Sequence, residues 1–390
     1  MRIGLTFLIA AYCLSQFFRA FLAVLAPVLT TDLGATTIDL ATASGLWFAT
    51  FALMQLPVGW ALDTLGPRRT ASALFILGAV GGCATFALAQ GPGGIILAMA
   101  LIGIGCSPIL MATYYIFART FSAAVFGTLA GVTVGVSSLG NILSAAPLAW
   151  VVDSFGWRET LWATTGFTLV VALGILLFLR DPPKPEGEAR GSFVELLRIR
   201  ALWPIYVGMF ICYAPTAGIR GLWISPYVSE VFDATLQQVG FATLAMGLAM
   251  VAGNFLYGVA DRFGSRKGGI LLGNALVAVL CLAFFVVPPA TFGIAVAMFV
   301  AIGTFGASYP AVMAHGRGFL PSHLTGRGVS LMNLFGMGGA GVMQFASGPT
   351  HGALSGSLGP IAAYGALFAI FGVAILLGLA VYAMAKERPA

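Results

Sequence analysis

Long apolar runs, separated by short polar or Gly/Pro-rich stretches, follow one another along the whole chain. Runs of about 20 residues are long enough to cross the hydrocarbon layer of a bilayer as helices. Twelve such runs begin near residues 5, 41, 71, 94, 124, 160, 204, 236, 268, 292, 327 and 361. A transmembrane barrel would show short alternating segments instead. The pattern therefore predicts an all-α membrane protein with twelve transmembrane helices.

Composition supports this assignment. Of the 390 residues, 59% are hydrophobic and only 8% are charged, whereas soluble domains carry roughly 25% charged residues. A soluble fold would leave too much of this apolar surface in water. The five cysteines also lie inside apolar runs, so they indicate small hydrophobic residues and no disulfide framework or metal site.

The basic residues are distributed as topology signals. The formal net charge is +6, but the positions of the charges do not indicate a nucleic-acid partner. Of the 19 basic residues, Arg158 lies in a predicted outer loop, and Arg19 and Arg220 lie inside apolar runs. The others occupy the termini or every second loop, which predicts that both termini are cytoplasmic. They are Arg2, Arg68, Arg69, Arg119, Arg180, Lys184, Arg190, Arg198, Arg200, Arg262, Arg266, Lys267, Arg317, Arg327, Lys386 and Arg388.

The loop after the second run returns 198 residues later. "GWALDTLGPRR" (59–69) reappears as "YGVADRFGSRK" (257–267). The chain therefore consists of two copies of one six-helix unit. The pairs that repeat at this offset are Asp63 and Asp261, Gly66 and Gly264, Arg68 and Arg266, and Arg69 and Lys267.

We expect the repeat to divide the chain into two pseudo-symmetric six-helix bundles, 1–180 and 204–390. The intervening stretch 181–203 opens with Pro-rich, charged sequence typical of a linker, and the charge pattern places it in the cytoplasm. Within it, "SFVELLRI" predicts a short amphipathic helix on the inner membrane surface. The first run could be misread as a cleaved signal peptide, but the repeat requires it as a first helix.

Two six-helix halves with twin Gly-Asp-Gly-basic loops resemble the major facilitator superfamily of secondary transporters. The resemblance implies alternating access, in which the two halves rock around a central site. It also implies that each loop Asp docks at a helix start in the other half: Asp63 near Gly326 and Arg327, and Asp261 near Ala124. The gating residues implied are Asp63, Arg68, Arg69, Asp261, Arg266, Lys267 and Arg327, and the loop glycines are Gly59, Gly66, Gly258 and Gly264.

Arg19 is a permanent charge inside the first apolar run. It lies roughly 20 Å along a helix that starts near residue 5, which is close to mid-membrane, where an Arg costs about 2.5–3.5 kcal/mol on insertion scales. Arg220 lies at a comparable depth in the seventh run. All thirteen acidic residues lie in or next to loops. We therefore expect the counter-ion to be an anionic substrate, because guanidinium binds carboxylate or phosphate bidentately.

The surroundings of Arg19 strengthen this expectation. Arg19 precedes Pro27 by eight residues, which resembles the first helix of the organophosphate and organic-anion branches of the superfamily. In those relatives the equivalent Arg contacts the anion, and an Asn often stands where this chain has Phe21. The alternative is a packing Arg bonded to Gln16, Asn141 or backbone carbonyls.

Arg220 matches this pattern less well, because it precedes Pro226 by six residues and Gly218 holds the equivalent place. On an ideal helix two residues turn a side chain by about 200°. A kink or unwound turn in the seventh helix, favoured by its Pro and Gly residues, would turn the Arg220 side chain back toward the central site. Otherwise Arg220 points to the outer interface or bonds freed carbonyls.

Other polar residues inside the apolar runs are further substrate-binding candidates: Tyr115, Asn141, Tyr309, Asn333 and Gln344. The alternative for each is a hydrogen bond that joins two helices. His351 is a candidate proton site, or else a histidine at the outer rim.

The sequence thus predicts a secondary transporter for a small organic anion, a carboxylate or phosphate ester, in a bacterial-type inner membrane. We expect a monomer without cofactor or metal, surrounded by lipid, with a proton as one option for the coupling ion. The sequence shows no nucleophile–base pair and no cofactor-binding loop that would indicate an enzyme. One alternative is a proton-coupled drug or metabolite exporter, although the run from residue 94 lacks the acid and Arg typical of such exporters. The other is a non-transporting receptor on the same scaffold.

Overall fold

The computed structural model describes residues 2–121, 123–183, 193–263, 265–321 and 324–387, and these form helices joined by short loops. A π-helical turn, Phe75–Val80, lies between α5 and α6 of the first half. The helices of that half are α1 Arg2–Phe18, α2 Phe21–Leu33, α3 Thr37–Leu53, α4 Gln55–Thr64, α5 Pro67–Leu74, α6 Gly81–Ala87, α7 Pro92–Cys106, α8 Ile109–Thr120, α9 Ala123–Leu143, α10 Ala146–Phe155 and α11 Trp157–Phe178.

The second half is helical as well. A 3₁₀ turn, Arg200–Leu202, follows its first short helix, and a π-helical turn, Ile219–Trp223, separates α14 from α15. The helices are α12 Phe193–Arg198, α13 Trp203–Cys212, α14 Ala214–Gly218, α15 Ile224–Phe232, α16 Leu236–Phe263, α17 Arg266–Val286, α18 Phe292–Gly306, α19 Tyr309–Arg317, α20 Thr325–Leu358 and α21 Pro360–Tyr382.

Within the described residues, ten helical stretches are long and apolar enough to cross a membrane. Helices Ile3–Phe18 and Phe21–Leu33 meet at a bend of 47°. If this pair counts as one span, the described residues contain eleven candidate spans. Helix α20 is long enough at 34 residues, but its many Gly, Ser and polar residues keep it out of this set. Every predicted run is helical, whereas the expected total of twelve spans stays a prediction.

The structure separates into two compact units, Met1–Ala189 and Arg190–Ala390. The same packing scheme recurs in both. In the first unit, α3 packs on α7, and α1 packs on α9 and α11. In the second unit, α16 packs on α18, and α13 packs on α20 and α21. The internal repeat therefore governs tertiary packing as well as sequence.

Twin glycines allow the closest helix contacts in each unit. A Cβ on Gly140 of α9 would lie 1.9 Å from the carbonyl oxygen of Cys13 on α1. A Cβ on Gly339 of α20 would lie 1.8 Å from the carbonyl oxygen of Phe210 on α13. Only glycine permits such an approach. The two glycines are 199 residues apart, as are Cys13 of α1 and Cys212 of α13.

The predicted amphipathic helix of the linker is present as α12. Its Leu196 is fully buried among apolar residues of the second unit, including Leu202 and Met332. The indole N–H of Trp203 donates to the carbonyl oxygen of Leu197 at 3.0 Å. Val194, Glu195, Leu197 and Arg198 of α12 are exposed, so the helix packs through Leu196 on α13 and α20 and belongs to the second unit.

Candidate functional site

Arg19 lies where the first spanning element breaks. Helix α1 ends at Phe18 and α2 begins at Phe21, and the N–H of Ala20 donates to the carbonyl oxygen of Phe17 at 3.1 Å, closing a tight turn. Pro27 lies inside α2, so the bend occurs at Arg19 and not at the proline. The first spanning element therefore consists of two helices that meet at Arg19, whereas the sequence predicts a single helix.

The guanidinium of Arg19 lies over two aromatic rings of α3. Its Cζ is 5.3 Å from the ring centroid of Trp47 and 5.6 Å from that of Phe51. The two rings are stacked, with centroids 5.2 Å apart. Cation–π attraction offsets part of the cost of a cation in an apolar bundle. Neither ring is among the residues predicted from the sequence, although their i, i+4 spacing places them on one face of a helix.

Arg220 lies in the π-helical turn of the second unit and is 5% exposed. Its guanidinium packs on Gly247 of α16, since a Cβ there would lie 3.0 Å from Nη2 and 3.1 Å from Nε. Arg19 lies against α3 and Arg220 against α16, and these are the equivalent second spanning helices of the two halves. The π turn and the break at Tyr213 change the helical register, so the unwinding that the sequence suggested is present.

Side chains of α20 bond both ends of this π turn. The amide Nε2 of Gln344 donates to the carbonyl oxygen of Gly218 at 3.4 Å. The indole N–H of Trp223 donates to Ser347 Oγ at 2.9 Å, and that hydroxyl donates to the carbonyl oxygen of Gln344 at 2.7 Å. Gln344 therefore connects two helices, and its predicted contact with the substrate stays a prediction.

His351 lies one turn further along α20. Its ring contacts the rings of Trp223 and Tyr364 at centroid distances of 5.1 and 4.2 Å. Ser355 Oγ lies 3.5 Å from its Nε2. At 5% exposure His351 is buried among these rings, and its role as a proton site stays a prediction.

Two more candidates meet beside the break in the seventh spanning element. The hydroxyl of Tyr309 on α19 donates to the amide oxygen of Asn333 on α20. The ring of Tyr213, at the end of α13, lies 4.9 Å from that of Tyr309. Tyr213 was not among the predicted residues. All three are half-buried.

The remaining candidates belong to the first unit. The ring of Tyr115 on α8 lies 4.3 Å from Cζ of Arg119, one turn away. Asn141 is half-buried on α9, next to the close contact made by Gly140. Among the described residues, no group of three or more His, Cys, Asp or Glu side chains could hold a metal ion.

The first signature loop is held by the end of α11. Gly66 has φ of +89°, which favours glycine. A Cβ there would lie 2.8 Å from Cγ of Asp181. The backbone N–H of Arg68 donates to Asp181 Oδ1, and its Nε donates to the carbonyl oxygen of Leu176, both at 2.7 Å. Asp63 and Arg69 are exposed beside these contacts.

The second loop is held in the same way by the end of α21. The hydroxyl of Ser265 donates to the carboxylate of Glu387, and Lys267 Nζ donates to the carbonyl oxygen of Ala385 at 2.7 Å. The side chain of Asp261, and Gly264, lie outside the described residues. Arg266 is exposed at the start of α17, and Arg327 is half-buried in the first turn of α20. The gating contacts of these loops stay predictions.

Comparison with known proteins identifies the family. The model of the Major Facilitator Superfamily matches residues 8–224 and 205–390, which together cover nearly the whole chain. The chain belongs to the Major Facilitator Superfamily. This confirms the resemblance drawn from the twin loops, and it confirms that the chain is a multi-pass membrane transporter and not an enzyme.

Curated members of the superfamily that this chain resembles are named for anionic substrates. The "Probable sulfoacetate transporter SauU" of Cupriavidus necator is 25% identical over 72% of this chain and 70% of its own length. The galacturonate transporter of Dickeya chrysanthemi is 25% identical over 73% and 88%. The hexuronate transporter of Escherichia coli K12 is 23% identical over 95% and 91%.

Solved structures share the superfamily fold. A bacterial homologue of the human lysosomal transporter Spinster, in an inward-facing and unoccupied conformation, has a TM-score of 0.75 at 17% identity. This match covers 99% of this chain and 98% of the other. A D-xylose–proton symporter has a TM-score of 0.74 at 13% identity, over 95% of this chain and 96% of its own.

Proposed function

We propose that this chain is a secondary active transporter that moves a small organic anion across a bacterial-type inner membrane by alternating access. In this proposal it has twelve spans and cytoplasmic termini, with 1–180 and 204–390 as the moving bundles and 181–203 as their linker. The substrate is a carboxylate or phosphate ester. The coupling ion is a proton, or else one anion exchanges for another.

The observation that carries the proposal is the setting of Arg19. Its guanidinium is half-buried at a helix break, over the stacked rings of Trp47 and Phe51. The rings restrict the rotamers of a long side chain, so less entropy is lost when an anion binds. A planar guanidinium pairs with a carboxylate through two parallel N–H···O bonds. The names of the relatives, which include galacturonate and hexuronate transporters, support an anion with a carboxylate.

Arg220 is the second anion-binding residue of the proposal. It lies against α16 as Arg19 lies against α3, and its fork is likewise presented from a non-α-helical turn. Tyr115, Asn141, Tyr309, Asn333 and Gln344 are kept as candidates for polar contacts to the remainder of the substrate.

Thermal unfolding of the detergent-purified protein with D-galacturonate, sulfoacetate and glycerol 3-phosphate tests the proposal, with neutral D-galactose as the matched control. A bound anion stabilises the folded state by about 2.7 kcal/mol at a hundredfold excess over its Kd. At least one anion should raise the unfolding temperature, and galactose should not. Stabilisation by lipophilic cations alone would favour the exporter alternative.

The role of Arg19 is then measured with the anion that stabilises most. Arg19→Ala leaves a desolvated charge unpaired, which costs about 2–5 kcal/mol, or roughly 30- to several thousand-fold in Kd. Arg19→Lys keeps the charge without the planar fork, so it should bind weakly. Wild-type affinity in Arg19→Ala would refute the proposed site. Uptake into proteoliposomes with and without a pH gradient distinguishes proton coupling from anion exchange.

A further inference from the structure

The π-helical turn that carries Arg220 is bonded to α20 at both of its ends. At the start, Gln344 Nε2 donates to the carbonyl oxygen of Gly218. At the end, Trp223 Nε1 donates to Ser347 Oγ. Ser347 donates to the backbone of Gln344 and closes the set. We name Gln344, Ser347 and Trp223 the clamp.

The bonds to α20 stabilise this π turn. A π turn replaces i to i+4 hydrogen bonds by wider i to i+5 ones, and π turns occur frequently at functional sites. All three clamp side chains are almost fully buried, so their polar atoms cannot exchange these bonds for water without cost. The clamp therefore holds the direction in which the turn presents its side chains, including Arg220.

The clamp belongs to one half only. At the offset of 199 that relates Gly140 to Gly339, the counterparts of Gln344 and Ser347 are Ala145 and Leu148. Neither side chain can form a hydrogen bond. If the clamp served the shared architecture, the first half would also require it. The clamp is present only in the half whose arginine, Arg220, is displaced by two residues from the repeat position. This indicates that the clamp positions Arg220.

We propose that Gln344, Ser347 and Trp223 are positioning residues that fix the guanidinium of Arg220 for an acidic group of the substrate. This inference rests on the proposed function, in which Arg19 and Arg220 bind an organic anion. It assigns Gln344 to positioning. Gly247 completes the arrangement, because it leaves room for the guanidinium against α16.

Chemical modification of arginine by butanedione, followed by peptide mass spectrometry of the detergent-purified full chain, tests the clamp without any substrate. Ser347→Ala and Gln344→Leu should each speed modification of Arg220 by about two- to tenfold, the change expected from losing one net hydrogen bond. Ser347→Thr keeps a hydroxyl and should restore the slow rate. Arg19 of the same molecules is the internal control, and Ser357→Ala, on an exposed part of α20, is the matched variant.

Wild-type rates at Arg220 in both Ser347→Ala and Gln344→Leu would overturn the inference. An equal increase at Arg19 would also overturn it, because it would indicate general loosening. Trp223→Phe keeps the ring packing and removes only the N–H, so it repeats the test if another variant fails to fold.

Sulfoacetate affinity provides the second test. Ser347→Ala should weaken binding of sulfoacetate, and the matched variant Ser357→Ala should leave it unchanged. In the Arg220→Ala background, Ser347→Ala should cause no further loss of sulfoacetate affinity, because both substitutions remove the contact between Arg220 and the anion. Additive losses would contradict the positioning role. If the wild type binds none of the anions tested, the proposed function fails, and the butanedione rates still decide on the clamp.

Discussion

Gly339→Ala should separate two helices that Gly338→Ala leaves in place. A Cβ on Gly339 would lie 1.8 Å from the carbonyl oxygen of Phe210, whereas Cβ atoms essentially never approach other atoms closer than 3.0 Å. Helices α13 and α20 must therefore part by more than 1 Å. No described atom lies within 4 Å of a Cβ on the neighbouring Gly338, which makes it the matched control.

The magnitude follows from two opposing effects. Alanine is about 0.8–1.0 kcal/mol better than glycine inside a helix, and both variants gain this. Overpacking costs typically about 1–3 kcal/mol, and only Gly339→Ala carries it. The two variants should therefore differ in free energy of unfolding by about 1–3 kcal/mol, with Gly338→Ala at or above wild type. The separation should also break the bond from Gln344 to Gly218, which is already 3.4 Å long.

Thermal unfolding of the two detergent-purified variants, with wild type alongside, measures the difference. Gly140→Ala and Gly135→Ala form the equivalent pair in the first unit, because a Cβ on Gly140 would meet Cys13 and one on Gly135 meets no described atom. Equal unfolding temperatures for Gly338→Ala and Gly339→Ala would refute the close approach of α13 and α20.

Two further predictions concern the first signature loop. Asp63→Asn removes the charge that the superfamily resemblance assigns to closing the inner gate. A carboxylate at a helix N-terminus contributes about 0.3–1 kcal/mol, so the substitution should shift the labelling of a cysteine-accessibility probe about two- to fivefold toward the inward-open form. Unchanged labelling from both sides of the membrane would exclude this gating role. Gly66→Ala should lower the unfolding temperature, because its φ of +89° and ψ of 158° lie in a region that is essentially restricted to glycine, at a cost of about 1–3 kcal/mol for a side chain. The new Cβ also meets Asp181. An unfolding temperature equal to that of the wild type would show that the backbone conformation carries no strain.

The positions of the helices and the internal repeat could be predicted from the sequence alone. A bilayer requires about 20 apolar residues for each span whatever the helices pack against, so hydropathy reports the spans directly. Every predicted run is helical in the structure, from the run at residue 5 to the run at residue 361. The twin loops at 59–69 and 257–267 also identified the family, because their glycine, acidic and basic positions are local in sequence.

The environment of the two arginines was decided by tertiary structure. Hydropathy marked Arg19 and Arg220 as exceptions, but it did not reveal the break at Arg19 and missed Trp47 and Phe51. Arg19 meets those rings only after α3 packs beside the helix break, and the Trp223 side chain meets Ser347 across 124 positions of chain. The anchoring of the signature loops by Asp181 and Glu387 likewise joins residues more than 100 positions apart. Hydrophobic periodicity is set by the solvent around each helix, whereas the direction of a buried cation is set by neighbours distant in sequence, and only the folded chain brings those neighbours together.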